Sequence, residues 1–397
     1  MSTNPVNAWD QRALIAPETT FGTTPAPANI AAYAALALEN IDVTTGPAEV
    51  GAVRAKKDRS LGRGMQSGFV EGRVAPIAWS AQLSVKSRSA IDADPRELAL
   101  YKMAGLKKTT NAAVSCVLAP SATPIESLDF ASATITRFLG SGLATYQAEI
   151  LRGCLVQGLR WEGGDKEVTL KANGLGVGKL TQGGLDSVTM LIGATTLTHT
   201  AEESYRLSPG YYLCESEVIL VTSVGYGSTT SNITKGALAS TSAAHTAKPF
   251  QPYVPAGITF AGSPIPEPVS TLTVGGITVR AQSWFFELAT GLDMLPGETG
   301  SKYVQGAKYT RYAAKLGARL VLSGDQVSLM GKVTQRPNLA VAISQGVGVG
   351  SIWSASLPYA EVEPFAAPDT ANDVAVVDVT FRTRDNAGND LFSVTLT

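Results

Sequence analysis

His199 and His245 are the side chains of this sequence best suited to proton transfer near neutral pH, and Cys116, Cys154 and Cys214 those suited to thiolate chemistry. Neither set has the spacing that such chemistry uses. A histidine can polarise a serine, and serine is abundant, but no Gly-x-Ser-x-Gly elbow is present. There is no His-x-x-x-His or His-Glu-x-x-His pair to hold a metal. The carboxylates are scattered without a paired pattern, so only a glycosidase built on positions distant in the chain would escape notice. Each histidine is therefore expected in a turn or core hydrogen bond. No enzymatic activity, cofactor or metal is expected. The cysteines are odd in number, far apart and never Cys-x-x-Cys, which suggests neither a disulfide framework nor a zinc site. They are expected as small buried hydrophobes made in a reducing compartment.

Two glycine runs imitate phosphate loops. Gly174-Leu-Gly-Val-Gly-Lys-Leu-Thr181 has Asn173 where a P-loop needs its first glycine, and Leu180 where it needs Ser or Thr. Gly346-Val-Gly-Val-Gly350 lacks a following helix and reads as a turn.

Composition points away from catalysis as well. Charged residues make up 16% of 397, against about 25% in typical domains, while Gly (39) and Pro (21) are plentiful. That is the palette of a mainly β protein with many turns. So little charge on so large a chain implies surface covered by other chains. A net charge of -1 argues against bulk electrostatic binding of nucleic acid. No apolar run approaches the roughly 20 residues of a membrane span, and no leader-like segment opens the chain.

The elements organise around 66–105. Leu83 and Val85 alternate with polar neighbours as in a half-buried strand. A compact helix should follow, capped by Asp94, begun by Pro95 and stopped at Gly105, with Leu98, Leu100, Tyr101 and Met103 inward. Strands are expected at 114–118, 133–139, 146–161 (bent or bulged at Gly153 and Gly158) and 166–172. After 256 come a hairpin around Gly275-Gly276, a long strand over 309–323, and a helix from a Ser323-Gly-Asp325 cap to about Gln335. A closing hairpin of 374–382 with 391–396 ends the chain. Strand, cap, helix and strand thus recur, which suggests two diverged copies of one unit. Between them, 188–255 reads as a small inserted β module closed by prolines.

Residues 1–30 are rich in proline yet carry Trp9, Leu14, Ile15 and Phe21, so they form either a terminal strand on their own domain or an arm on a neighbour. Within 40–68, Arg54, Lys56, Lys57, Arg59 and Arg63 stand beside a single acid, Asp58. No aromatic residue accompanies them, which argues against a stacking platform for single-stranded nucleic acid. They make either a solvated loop or one that orders against a partner.

Two stretches carry a resemblance. Pro17-Glu-Thr-Thr-Phe-Gly-Thr-Thr-Pro25 resembles the N-terminal signature of the tail tube (major tail) proteins of long-tailed bacteriophages. The segment 188–253 is similar to a module recurring in phage tail and baseplate proteins: a Pro-Gly-x-Tyr strand at 209–212, a Glu-x-x-x-Val-Thr strand at 217–222, and a closing Gly236-Ala-Leu-Ala-Ser-Thr-Ser-Ala-Ala-His245 turn. In the last, Ser240 stands where glycine is usual.

The resemblance implies a β-sandwich or barrel-like core with flanking short helices, and the recurring units suggest that it is duplicated: 31–187 and 256–397 around the outward-facing insert 188–255, with an N-terminal arm at 1–30. It implies a virion structural protein, made in the bacterial host cytoplasm, that polymerises into stacked rings. Trimers of a doubled core are slightly favoured over hexamers of a single one. Partners would be further copies of itself and the tape-measure, terminator and distal tail proteins. DNA would pass the lumen without specific binding. Trp9, Phe21, Arg54, Lys56, Lys57, Arg59 and Arg63 are the expected contacts between rings or subunits. The rivals are a baseplate or tail-terminator ring protein, and a carbohydrate-binding surface protein using Tyr211, Tyr212 and Tyr226.

Overall fold

The structure is a computed structural model and describes residues 11–18, 21–22, 40–43, 53–54, 69–70, 76–120, 131–139, 147–254, 263–265, 270–295, 306–321, 331, 338–364, 369–371, 374–384 and 391–397. The chain is mainly β, as its composition implies. Strands β1 (Gln11–Pro17), β2 (Asn40–Val43), β3 (Val53–Arg54), β4 (Phe69–Val70) and β5 (Ile77–Ser84) precede the helix α1 (Leu98–Met103). Then come β6 (Leu106–Asn111), β7 (Ser115–Pro120), β8 (Ala133–Leu139), β9 (Gln147–Gly164), β10 (Thr169–Gly176) and β11 (Gly178–Gly183). The inserted segment holds β12 (Leu185–Met190), β13 (Thr196–Thr198), β14 (Gly210–Cys214), β15 (Glu217–Val224), β16 (Thr230–Thr234) and β17 (His245–Pro252). Next are β18 (Ser270–Val274), β19 (Ile277–Ala289), β20 (Leu292–Leu295), β21 (Gly306–Tyr309), β22 (Ala313–Val321) and β23 (Leu339–Gln345). The chain ends with β24 (Trp353–Val362), β25 (Asp369–Ala371), β26 (Val374–Thr383) and β27 (Ser393–Leu396).

Contacts divide the chain into two units that cross the expected segments. The first comprises Met1–Ala37, Ala133–Gly153 and Gly176–Phe260; the second comprises Leu38–Ser132, Cys154–Leu175 and Ala261–Thr397. In the second unit, strands from before and after the insert interleave: β9 pairs with β19 and β7 with β27. One sheet runs β2-β5-β10-β9-β19-β22-β26. The other runs β18-β23-β24-β27-β7-β6. The β18–β19 hairpin and the β24–β26 pairing join them, closing a circuit of six strands. Closure of this kind removes sheet edges, which is why a barrel-like arrangement tolerates such long strands.

Register keeps apolar and charged residues on opposite faces. Leu170, Trp161, Phe286, Leu316 and Phe381 stand opposite one another across five strands, and all are fully buried. Trp161 packs against Tyr101, Phe286 and Trp353 at ring distances of 5.9, 5.5 and 6.0 Å. One residue along, the aligned set is Lys171, Arg160, Glu287, Lys315 and Arg382. A slip of one residue would bury that charged row and expose the aromatic one.

The helix is shorter than its sequence signals imply. It starts at Leu98, and Asp94 makes an ion pair with Lys108 instead of capping it. Residues 95–97 form a turn in which the Leu98 N–H donates to the Pro95 carbonyl. The C-terminal end follows expectation: Gly105 takes φ +71°, and the Tyr309 and Tyr312 hydroxyls donate to the free carbonyls of Met103, Ala104 and Gly105. A Cβ at Gly105 would collide with the Tyr312 hydroxyl and come within 3.3 Å of the Tyr309 ring. Gly105→Ala should therefore cost about 2–3 kcal/mol, adding a steric clash to the left-handed penalty. A urea melt showing less than 1 kcal/mol would mean that the tyrosines move aside.

Other expectations meet the structure unevenly. The Gly275-Gly276 hairpin forms as read, with Val274 opposite Ile277. Gly153 takes φ +59°, and at Gly158 the β10 register slips past Gln157 as a bulge. The 309–323 strand divides into β21 and β22. The final strands do not pair with each other, because β27 lies between β24 and β7. Apart from a helical Gly331, the expected helix near 325–335 lies outside the described residues, as does the turn 385–388.

In the first unit, β1 pairs with β8 over its whole length and buries Leu14 and Ile15, so this stretch is a strand on its own unit. The inserted segment forms a six-stranded sheet around Leu197, Tyr212, Ile219, Val221 and Phe250. Tyr212 and Phe250 stack at 4.6 Å.

Candidate assembly site

The glycine run 174–178 lies in β10 and β11, not in a loop. A Cβ on Gly174 would strike the Leu155 carbonyl oxygen and the Trp79 ring, so the glycine serves close strand packing. The three cysteines are buried, and no two of them form a disulfide. Among the described residues no group of three His, Cys, Asp or Glu side chains is placed to hold a metal ion, and no helix is long and apolar enough to cross a membrane.

Both histidines make core hydrogen bonds. His199 Nε2 lies 2.8 Å from Ser231 Oγ and Nδ1 lies 2.9 Å from the Thr200 carbonyl. His245 sits between Glu217 (2.7 Å) and Glu215 (2.9 Å). Glu217 is completely buried and accepts N–H bonds from Gly236 at 2.8 Å and Ala243 at 3.0 Å, with Lys235 Nζ at 3.5 Å. Burial opposes its ionisation, yet these donors outweigh it and hold the carboxyl below its ordinary value. The closing turn 236–245 is thus fastened to one carboxylate on the Glu-x-x-x-Val-Thr strand.

The stretch from Glu18 to Gly22 works the same way. Glu18 accepts the Gly22 N–H at 2.8 Å, the Thr134 hydroxyl at 2.7 Å and the Gly153 N–H at 2.8 Å. Its glutamate and glycine therefore fix the Phe21–Gly22 turn, where Phe21 is half-buried.

Arg54 ends β3, which pairs with β4 through Val53–Val70 and Arg54–Phe69. Below it, β2 pairs with β5 from Asn40–Gln82 to Val43–Trp79. Partner numbers fall by one as strand numbers rise by one, and the β3–β4 pairs are one residue off that same register. Residues 40–82 are thus two nested antiparallel ladders whose connection, 55–68, carries Lys56, Lys57, Arg59 and Arg63. Those four and Trp9 lie outside the described residues.

The chain leaves the sheet at Val43 and returns at Ile77, at one end of β5. The eight residues of β5 carry it roughly 25 Å to the other end. There the Arg88 N–H donates to the Gly350 carbonyl at 2.9 Å, and the Ala113 N–H donates to Asp92. The turns so gathered expose Val347 (61%), Val349 (77%) and Val114 (60%). No sequence signal singled out these valines; a glycine run around exposed apolar residues is what would have done so.

The charged sheet face is self-neutralised. Arg160 pairs with Glu162 at 2.7 Å and Glu287 at 3.1 Å, and Lys171 with Glu162 at 2.7 Å. Lys315 pairs with Glu363 at 3.0 Å and Arg382 with Glu361 at 3.3 Å. Burial works against the Glu162 charge, but Lys171 and Arg160 keep its carboxyl below the usual range. An open trough of about 480 Å³ crosses the face, lined by Gln82, Arg160, Lys171, Asn173 and Glu287 among others, with neither His nor Cys.

The sequence matches no protein-family model, and no curated protein is significantly similar to it.

Proposed function

We propose that this chain is the tail tube subunit of a long-tailed bacteriophage, assembling head to tail into stacked rings that conduct DNA. One observation carries the reading. The nested ladders 40–82 leave one end of a β-sandwich whose opposite end exposes three valines on tight turns. A contact between unlike ends repeats without closing, which generates an open filament. The valines are poor surface for an isolated monomer and good surface for a ring stacked upon them. Asp92, whose carboxylate accepts only a backbone N–H among its described contacts, lies at that same end, opposite in sign to Arg54, Lys56, Lys57, Arg59 and Arg63.

The paired charges of the β10-β9-β19-β22-β26 face suit a lumen wall. Cations already matched by carboxylates offer DNA few counterion-releasing contacts, so a polyanion slides instead of binding. Three copies of a doubled core, or six of a single one, would then complete a ring.

Negative-stain electron microscopy of the purified chain at rising concentration tests this directly. Hollow tubes with a regular repeat are expected, and top views count the subunits. Replacing 55–68 by a short Gly-Ser linker, or Val347 and Val349 by aspartate, should abolish tubes while leaving the circular dichroism of the monomer intact. Single closed rings would favour a baseplate or terminator protein. A monomer that ignores added tail tips as seeds would end the proposal.

A further inference from the structure

The inserted sheet presents a second surface whose chemistry is unrelated to assembly. Tyr205 and Tyr226 are 64% and 59% exposed, and their rings lie nearly parallel, 17° apart with centroids 6.0 Å from each other. Both stand on fixed turns. The turn carrying Tyr205 opens with a capping box: the Thr200 N–H donates to Glu203 at 2.8 Å and the Glu203 N–H to Thr200 Oγ1 at 3.2 Å. The turn carrying Tyr226 is closed by the Ser228 N–H to the Gly225 carbonyl at 2.9 Å. Fully buried Ser204 ties the two together, its Oγ accepting the Gly227 N–H at 2.7 Å. The rings are therefore held in place before any ligand arrives, which lowers the cost of binding.

Tyr226 lies in the connection between β15 and β16, and the exposed side chains of the adjoining strands are all neutral. Across the sheet Thr196 stands opposite Asn232, Asn232 opposite Ser223, and Thr198 opposite Thr230. Neither β13 nor β16 contains a charged residue, and neither does 222–224 of β15. Neutral hydroxyl and amide groups beside exposed aromatic rings match a pyranose, which has an apolar C–H face to lie on a ring and hydroxyls that both donate and accept. A nucleic acid or acidic polymer would need several cations, whereas the Tyr205 turn carries one, Arg206, beside the carboxylates of Glu202 and Glu203. A protein partner would bury about 800 Å² on this side around an apolar centre, far more than two rings supply.

We propose that the Tyr205–Tyr226 pair and the neutral β13-β16-β15 face form a binding site for an uncharged polysaccharide. This corrects the reading in which Tyr211 and Tyr212 were the partners of Tyr226: Tyr212 is fully buried and Tyr211 is half-buried in β14.

The test is the full chain on a printed array of neutral oligosaccharides (glucans, mannans, galactans, rhamnans and chitin oligomers), with saturation-transfer NMR on whatever is retained. At least one neutral glycan should bind, whether or not tubes form. Tyr205→Ala and Tyr226→Ala should each weaken it about tenfold. Tyr205→Phe, which keeps the ring, should bind nearly as the parent does, and Leu191→Ala, an exposed change elsewhere on the module, should be neutral. Retention of no neutral glycan, or binding indifferent to both alanine variants, would overturn the proposal.

Discussion

Replacing Glu217 by alanine should destabilise the inserted sheet by about 3–5 kcal/mol, the range for stripping one partner from a buried charged network. The carboxylate is where the Gly236 and Ala243 amides, His245 and the buried Lys235 converge. Without it the closing turn loses its anchor, and a lysine that is 4% exposed is left without its counter-charge. Glu215→Ala is the control, because that glutamate is exposed and its loss should matter little. Hydrogen exchange reads the effect locally: the amides of Tyr212, Ile219 and Val221 should lose protection in Glu217→Ala and keep it in Glu215→Ala. Acid should act on the same bond. The folded Glu217 carboxyl titrates below its ordinary value of 4.5, so its stabilisation is complete above that pH. It is lost as pH falls through the depressed value. Uniform protection in Glu217→Ala would show that the turn is held by its backbone alone.

Gln345→Met should cost the β-sandwich about 3–5 kcal/mol although side-chain volume is nearly kept. Gln345 is fully buried, and its Oε1 accepts from the Gly164 N–H at 2.7 Å, Trp284 Nε1 at 2.8 Å and Ser270 Oγ at 2.9 Å. Its Nε2 donates to the Lys166 carbonyl at 2.8 Å. Methionine satisfies none of these. Trp284 can still reach Ser270 Oγ at 3.1 Å, but the Gly164 N–H and the Lys166 carbonyl are left wanting, each at about 1–3 kcal/mol. Urea denaturation followed by tryptophan emission measures it, and a loss below 1 kcal/mol would mean that water enters and replaces the amide.

Much of the strand pattern was legible because burial leaves a period of two. Leu170–Gly176 and Val377–Arg382 alternate cleanly, and the Gly275-Gly276 turn needs φ values that glycine supplies. Local signals failed where a distant group outbid them. Asp94 has every qualification as a helix cap, but Lys108 on β6 takes its carboxylate. The last two strands look like a hairpin, but β24 and β7 take the two edges of β27 and leave none for β26. The division of the chain was illegible for the same reason: nothing in 147–164 announces that β9 pairs with β11 over its first residues and with β10 and β19 over its last.

The two signature motifs show where that boundary falls. The sequence alone sets Glu18 four residues before Gly22, and Glu217 ahead of the 236–245 stretch, because residue types and short spacings are local properties. Their work depends on groups far away in the chain. Thr134 and Gly153 come to Glu18, and His245 and Lys235 come to Glu217, only once the strands are paired. The mainly β class, the turns and the charge-poor composition were thus determined by sequence, since each follows from one residue's neighbours. The exposed valine turns, the neutralised sheet face and the Tyr205–Tyr226 pair were decided by tertiary structure. Exposure and ion pairing are properties of what packs against a side chain, and that is set by partners tens to hundreds of residues distant.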